Sequence, residues 1–343
     1  MKYRVLGRTG LRVSEIGFGA WPIGGNAHGN SYGPTDDRWS KVALAKAFGH
    51  GCNFIDTADV YGHGHSEELI GSITNCRNDT LIATKVGGNF YDGETRMDFS
   101  PEHIRFACEQ SLRRLRKDVI DLYQLHNPPL SLIQEGSIFD VMDELKREGK
   151  IRFYGVSIHD PAEGVAVIQN GCPDTIQVAY NMFTLDEERQ RLFDMAAQYN
   201  VGIIAREPLA NGLLTGKFDG SEVFSRGDFR ANWPREYIQE RAAIANALKF
   251  LVRPDRTLAQ AALLFVLAQP VVSTVIVGCK TPQHTDENFG AAAAPPLTDE
   301  EIARARKGGY ANNVFASQTI SMPGKLQSFT SHESDNGRTP FTG

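Results

Sequence analysis

Residues 53–64, NFIDTADVYGHG, start apolar, reach a carboxylate at Asp56, and then break into polar and glycine residues around a phenol at Tyr61. An apolar run that stops abruptly at functional groups reads as a buried strand whose carboxyl end opens onto a cavity. The same shape recurs downstream, where Lys85 closes LIATK (81–85) and His126 closes DLYQLH (121–126). If these strands are parallel and adjacent, an acid, a phenol, an ammonium and an imidazole converge on one site.

Outward from these segments, short apolar runs alternate with longer amphipathic stretches. Strands are expected at 16–19, 54–56, 81–85, 120–125, 152–156, 175–178, 202–205 and 275–277. Helical periodicity occupies gaps such as 41–48, 101–115, 139–148, 186–199 and 258–268, with a proline opening the second of these. Strand followed by helix, repeated, demands parallel pairing through right-handed crossovers. Eight such units in roughly 300 residues make an α/β fold, the (β/α)8 TIM barrel, whose active sites lie at the carboxyl ends of the strands. The opening YRVLGRTGLRVSEIG (3–17) reads as an N-terminal β-hairpin plugging the opposite mouth. Long loops at 20–38, 86–100 and 207–235 each follow a strand and are expected at the C-terminal face. Residues 1–319 form the barrel domain in this reading, and 320–343, rich in Ser, Thr, Gly and charge, a mobile polar tail.

The chain has 343 residues, 41% of them apolar, enough for a large core. Its 36 Lys and Arg against 41 Asp and Glu leave a net charge of -5, so no basic field exists to draw nucleic acid. Neither a signal-peptide core nor an apolar run of membrane-spanning length is found, and a soluble cytoplasmic protein is expected. The five cysteines (52, 76, 108, 172, 279) are scattered and read as reduced and structural. The HGHSEE string (63–68) has the composition of a metal site, but it lies past Tyr61 in a loop and no other strand end completes it, so no metal is expected. RRLRK (113–117) reads as a solvated cluster at a helix carboxyl end. GxGxxG and GxxxxGK[ST] do not occur, so any dinucleotide binds outside the Rossmann and P-loop schemes.

A phenol has a reference pKa of ~10, and a tyrosine that must give up its proton needs a neighbour favouring its anion. Lys85 supplies that charge, and Asp56 keeps the lysine protonated and in place. His126 would bind and polarise a carbonyl oxygen beside the phenol. These groups contain no electron source, so carbonyl reduction needs a hydride from a cofactor.

The strings GRTGLRVSEIGFG (7–19), IDTADVYG (55–62), IATK (82–85), SLRRLRKDVIDLYQLHNP (111–128), KIRFYGVS (150–157), QVAYN (177–181), PLANGLLTGKF (208–218) and VIVGCKTPQHTDEN (275–288) resemble, in order, those of an aldo-keto reductase. The resemblance covers residues 1 to about 310. It implies a catalytic tetrad of Asp56, Tyr61, Lys85 and His126. It also implies that Ser157 and Gln177 hold a nicotinamide carboxamide and that residues 206–217 wrap a diphosphate, through Arg206, Pro208, Leu209, Asn211, Gly212, Leu214 and Lys217. Gly278, Lys280, His284, Glu287 and Asn288 would surround the adenosine end, and Gly19, Trp21 and Asp56 complete the cofactor set. Lys280, near a helix beginning at Pro282, favours NADP over NAD through an extra phosphate. Three positions depart from common family patterns: Ile158 stands where asparagine is frequent, Arg206 where an aromatic ring often stacks on nicotinamide, and His284 where arginine or glutamine is usual. Trp21, Phe90, Tyr91 and Trp233 fall in the rim loops and suggest an aromatic-lined pocket. The expected activity is NADP-preferring interconversion of an aldehyde or ketone with its alcohol, Tyr61 donating the proton. The alternative is a cofactor-binding regulatory or redox-sensing protein on the same barrel.

Overall fold

In a computed structural model of the chain, residues 1–28, 31–74, 77, 79–171 and 173–308 are described. Eight parallel strands close into a barrel: β1 (Ile16–Gly19), β2 (Phe54–Asp56), β3 (Leu81–Val86), β4 (Ile120–His126), β5 (Ile151–Ser157), β6 (Thr175–Ala179), β7 (Gly202–Arg206) and β8 (Val272–Gly278). Each strand pairs with the next, and β8 returns to β1 through Val275↔Ile16 and Gly278↔Gly19. The expected (β/α)8 barrel is therefore present. The first two strands have the expected bounds, and the other six run one to three residues further at one end or both. His126 is the last residue of β4 rather than a residue beyond it, paired across to Ser157.

Between the strands run α1 (Asp37–Gly49), α2 (His65–Thr74), α3 (Pro101–Leu115), α4 (Leu130–Glu135), α5 (Ser137–Arg147), α6 (Pro161–Asn170), α7 (Glu187–Gln198), α8 (Arg235–Ala247) and α9 (Leu258–Leu267), and α10 (Pro282–Phe289) follows the last strand. Their starts follow capping chemistry. Ser100 accepts from the His103 N–H ahead of Pro101, while Asp160 with Glu163 and Thr257 with Gln260 form reciprocal capping boxes. Their apolar faces pack on the outside of the barrel in one continuous core.

Inside the barrel, side chains alternate along each strand and so fall into layers. The lower layer is apolar: Phe54, Ala83, Leu122, Ile204 and Ile276 meet Leu6, Leu11 and Val13 from the hairpin Tyr3–Val5/Arg12–Ser14, which plugs the amino-terminal mouth as expected. Two residues further along the same strands the inward positions become Asp56, Lys85, Gln124 and Arg206. The polarity change across one layer separates the part of the barrel that holds the fold from the part that opens to ligand.

Two charged groups sit where composition alone did not place them. Arg114, within the RRLRK cluster, is turned inward rather than solvated: its Nε donates to Glu67 Oε2 at 2.6 Å and Nη1 to the Tyr91 hydroxyl at 3.1 Å. Glu67 is fully buried on α2 and also accepts from Thr84 Oγ1 at 2.5 Å, so the arginine neutralises a carboxylate between α2, α3 and β3. Arg256, at 1% exposure, donates to the carbonyls of Leu251, Pro295 and Pro296 and to Glu301 Oε1, tying residues 295–301 onto the segment that leads into α9. Cys52, Cys108 and Cys279 are free and buried, and burial pushes their thiols up to about 11, about 12 and about 12. Cys76, Cys172 and the 320–343 tail lie outside the described residues. Among the described residues, no helix is long and apolar enough to cross a membrane.

Candidate active site

The carboxyl ends of β2, β3 and β4 bring the four sequence-selected groups together. Lys85 has no exposed surface; its Nζ donates to Asp56 Oδ1 at 2.5 Å, to the Thr57 carbonyl at 2.9 Å and to the Tyr61 hydroxyl at 3.2 Å. The ammonium thus has three acceptors for its three protons. The Tyr61 ring meets the His126 ring edge to face, with centroids 5.8 Å apart and planes at 82°. Tyr61 can stand there because the chain after Asp56 turns at once, the Tyr61 N–H bonding the Ala58 carbonyl before α2 begins.

Electrostatics sort these groups into fixed protonation states. Burial acts most strongly on Lys85 and opposes its charge, but Asp56 and Tyr61 together overcome it and hold the ammonium above its usual range. Burial also dominates at Tyr61 and raises the phenol, with Asp56 adding to the effect and Lys85 and Arg206 only partly offsetting it. The net direction is opposite to the sequence expectation, because desolvation of the phenolate outweighs the neighbouring cation. His126 is driven well below the ordinary imidazole range by burial, then by Lys85, Arg206 and His159, and stands neutral. The mouth therefore holds a protonated phenol, a protonated amine and a neutral imidazole, each able to donate a hydrogen bond.

The second oxygen of Asp56 has partners the sequence reading missed. Oδ2 accepts from Gln177 Nε2 at 2.7 Å and from Gln124 Nε2 at 3.0 Å, and Gln177 Nε2 also donates to Gln124 Oε1 at 3.2 Å. Gln124 is fully buried. Its signal was a single amide at an inward position of DLYQLH, two residues before His126.

The other expected contacts spread around the same mouth. Ser157 Oγ, at the end of β5, lies 3.4 Å from Asn127 Oδ1, so an amide does stand beside it, though from Asn127 and not from position 158. Ile158 is buried in the core. Arg206 ends β7, ion-pairs with Glu207 and donates to the Ile158 carbonyl at 3.0 Å. Beyond it Pro208 is buried and Leu209 packs on the core, while Asn211 and Gly212 take left-handed backbone at φ 57° and 94°. That local turn curls the chain back on itself, with the Gly212 and Leu214 N–H groups both bonding the Leu209 carbonyl. Leu214 is fully buried.

At the far end Lys217, Lys280 and His284 gather with Glu287 around the first turn of α10. Lys217 pairs with Glu287 at 3.4 Å, and His284 is lowered by burial and then by Lys217, with Lys280 adding to the effect. Lys280 Nζ donates to the Tyr32 carbonyl at 2.9 Å. Asn288 is committed to Cys279 Sγ at 3.4 Å, and Gly278 and Gly19 sit side by side where β8 meets β1.

Ring contacts link the long loops around this mouth, the loop after β3 reaching the loop after β1 through His63. Trp21 packs edge-on against Tyr32 and Phe229, and the Tyr32 hydroxyl donates to Asn211 Oδ1 at 2.7 Å, joining the loop after β1 to the loop after β7. His28, His63, Phe90 and Tyr91 form a second stack of rings with centroids 3.9–4.6 Å apart. Trp233 joins the first group through Phe229. His63 and His65 do not converge: His63 is in the ring stack, and His65 opens α2 with Nε2 2.9 Å from Asp37 Oδ1.

A parallel eight-stranded barrel with an anchored phenol at its carboxyl-end mouth, a left-handed turn at Asn211 and Gly212 and a lysine-bearing helix start has the features of a barrel oxidoreductase that takes a dinucleotide. The Aldo/keto reductase family model matches residues 15–308. The chain is 33% identical over 307 residues to the uncharacterized oxidoreductase YqkF of Bacillus subtilis, covering 88% of this chain and 94% of that protein. It is 33% identical over 310 residues to the aldo-keto reductase yakc [NADP(+)] of Schizosaccharomyces pombe, covering 86% and 88%. Among solved structures, the holo form of the aldo-keto reductase AKR11C1 from Bacillus halodurans superposes with a TM-score of 0.74 at 31% identity, over 90% of this chain and 96% of that one. The chain belongs to the aldo/keto reductase family, and with it to the oxidoreductases that act on small-molecule carbonyl compounds using NAD(P)H.

Proposed function

We propose that the protein is an NADP-preferring oxidoreductase that interconverts an aldehyde or ketone with its alcohol, with Tyr61 as the proton donor. The observation that carries this reading is the Lys85 ammonium, fully buried and shared between Asp56 and the Tyr61 hydroxyl. A lysine placed there has no structural need of a phenol, since Asp56 and the Thr57 carbonyl already neutralise and bind it.

The residues present suit a nicotinamide dinucleotide. Gln177 has its amide nitrogen committed to Asp56 and Gln124, which leaves its carbonyl oxygen for a carboxamide N–H, with Ser157 and Asn127 beside it. The turned chain at Asn211 and Gly212 would lie along a diphosphate, and Lys217 and Lys280 offer cations at a helix start, with His284, lowered by burial, as a neutral imidazole beside them. When bound, the cofactor supplies the hydride that none of these side chains can.

His126, neutral and edge-on to Tyr61, would orient the carbonyl oxygen by an N–H hydrogen bond without losing its own proton. Tyr61 keeps its proton until negative charge develops on that oxygen, because a buried phenol is a weak acid and an alkoxide a far stronger base. Lys85 then stabilises the phenolate that remains, and Asp56 holds Lys85 in register. In the reverse direction the same phenolate takes the proton of the alcohol.

The NADP preference rests on Lys280. Its replacement by methionine should weaken NADPH binding by about tenfold while NADH binding changes by less than about twofold, as expected for one charge-assisted phosphate contact. Fluorescence titration of the two reduced cofactors reads both, and equal losses for the two would remove the phosphate assignment.

A further inference from the structure

We propose that Gln124 is a positioning residue for the proton donor: it fixes Asp56, and through Asp56 and Lys85 it sets the acidity of Tyr61. The proposal rests on the reading of Tyr61 as the proton donor, and extends it to a residue that contacts neither substrate nor cofactor.

The hydrogen-bond chain admits few alternatives. A carboxylate only accepts, so each glutamine beside Asp56 Oδ2 must present its nitrogen to it. Gln124 Nε2 at 3.0 Å and Gln177 Nε2 at 2.7 Å both do so. With Nε2 of Gln124 turned to Asp56, its Oε1 faces Gln177 and accepts from it at 3.2 Å. One side chain thereby fixes the orientation of the carboxylate and of the neighbouring amide. Asp56 Oδ2 has its two donors, Oδ1 is left to face Lys85, and the ammonium meets the Tyr61 hydroxyl at 3.2 Å.

The barrel is built around this reach. Gln124 is the register partner of Lys85 on β3 and of Gly155 on β5. A side chain at position 155 is excluded, since a Cβ there would lie 2.1 Å from Thr175 Oγ1 and 3.4 Å from Gln124 Cγ. The gap left at Gly155 lets the amide cross the barrel interior to β2 and β6. A buried amide that served packing alone would be replaced at little cost by an apolar side chain of its size. Here its loss would leave a buried carboxylate one donor short, with Gln177 alone holding Oδ2, and so loosen the alignment of Oδ1 with Lys85.

The test pairs two substitutions with two readouts. Gln124→Met keeps volume and removes the donor. The Tyr61 phenol, followed by carbon NMR of ring-labelled tyrosine and assigned by its absence in Tyr61→Phe, should titrate at higher pH than in the parent protein. In the same variant kcat for carbonyl reduction should fall by about tenfold while NADPH affinity changes by less than about twofold. Gln124→Glu keeps the shape and can donate only while its new carboxyl is protonated. Its rate should therefore approach that of the parent at low pH and drop as the carboxyl ionises, a limb the parent profile lacks. An unmoved phenol titration in Gln124→Met, or a Gln124→Glu profile parallel to the parent, overturns the proposal. Because the phenol titration needs no substrate, it separates this failure from failure of the carbonyl-reductase reading, which would appear as no turnover in the parent itself.

Discussion

Tyr61→Phe is expected to lower kcat for carbonyl reduction by about 10²- to 10⁴-fold, the range over which a positioned general acid acts, or about 3–5 kcal/mol of barrel-mouth chemistry. The substitution removes one oxygen. The ring still packs edge-on to His126, and Lys85 still has Asp56 and the Thr57 carbonyl, so neither the fold nor the cofactor face is disturbed. Cofactor affinity should stay within about twofold of the parent, since no contact assigned to the dinucleotide runs through the hydroxyl. Stopped-flow or steady-state kinetics with fluorescence titration separate the two quantities. Retention of more than a tenth of the activity would remove the phenol from the proton-transfer step.

Arg256→Met should cost about 3 kcal/mol of stability, the lower end of the range for breaking a buried charge pair, because Glu301 retains Arg253 at 2.8 Å and the Thr298 N–H. Three carbonyls, Leu251, Pro295 and Pro296, lose their donor at the same time. In a chain of this size that loss corresponds to about 5 °C in Tm. The acid side of the stability profile should also change. Burial works to raise the Glu301 carboxyl, but hydrogen bonds from Arg256, the Thr298 backbone and Arg253 win and hold it down at about 2. A depressed carboxyl contributes stability above its unfolded value, and that contribution is lost as pH falls through the folded value. Removal of Arg256 raises the folded value toward the unfolded one, so the variant should lose this contribution at a higher pH than the parent. Thermal melts across the acid range check both effects, and a Tm unchanged from the parent would show the cluster to be dispensable.

Asp56, Tyr61, Lys85 and His126 could be picked from the sequence because strand ends are visible in one dimension: an apolar run stops, and the residue that stops it faces the mouth. The barrel was legible for the same reason, eight such stops separated by helical periodicity. Gln124 was not, since a lone amide inside DLYQLH carries no mark of what it meets across the barrel, and its partners come from residues 56 and 177. Arg256 was hidden in the same way by partners at 251, 295, 296 and 301. RRLRK gave the wrong reading for Arg114 because composition does not say which face of a helix a cation is on; only the buried Glu67 opposite it does. Tyr32, which bonds Asn211 across two loops, lies in a stretch with no periodicity to read. The direction of the Tyr61 shift was missed for a different reason: charge neighbours can be guessed from motifs, whereas depth of burial is a property of the closed barrel.

The most direct measurement of the central claim is the reaction of the full chain with NADPH and a panel of aldehydes and ketones, following loss of the reduced cofactor and appearance of the alcohol together. The expected result is one alcohol formed per NADPH oxidised with at least one of the carbonyl compounds. Binding of NADPH with no alcohol formed from any of them would contradict the assignment and leave a barrel that holds the dinucleotide without using it.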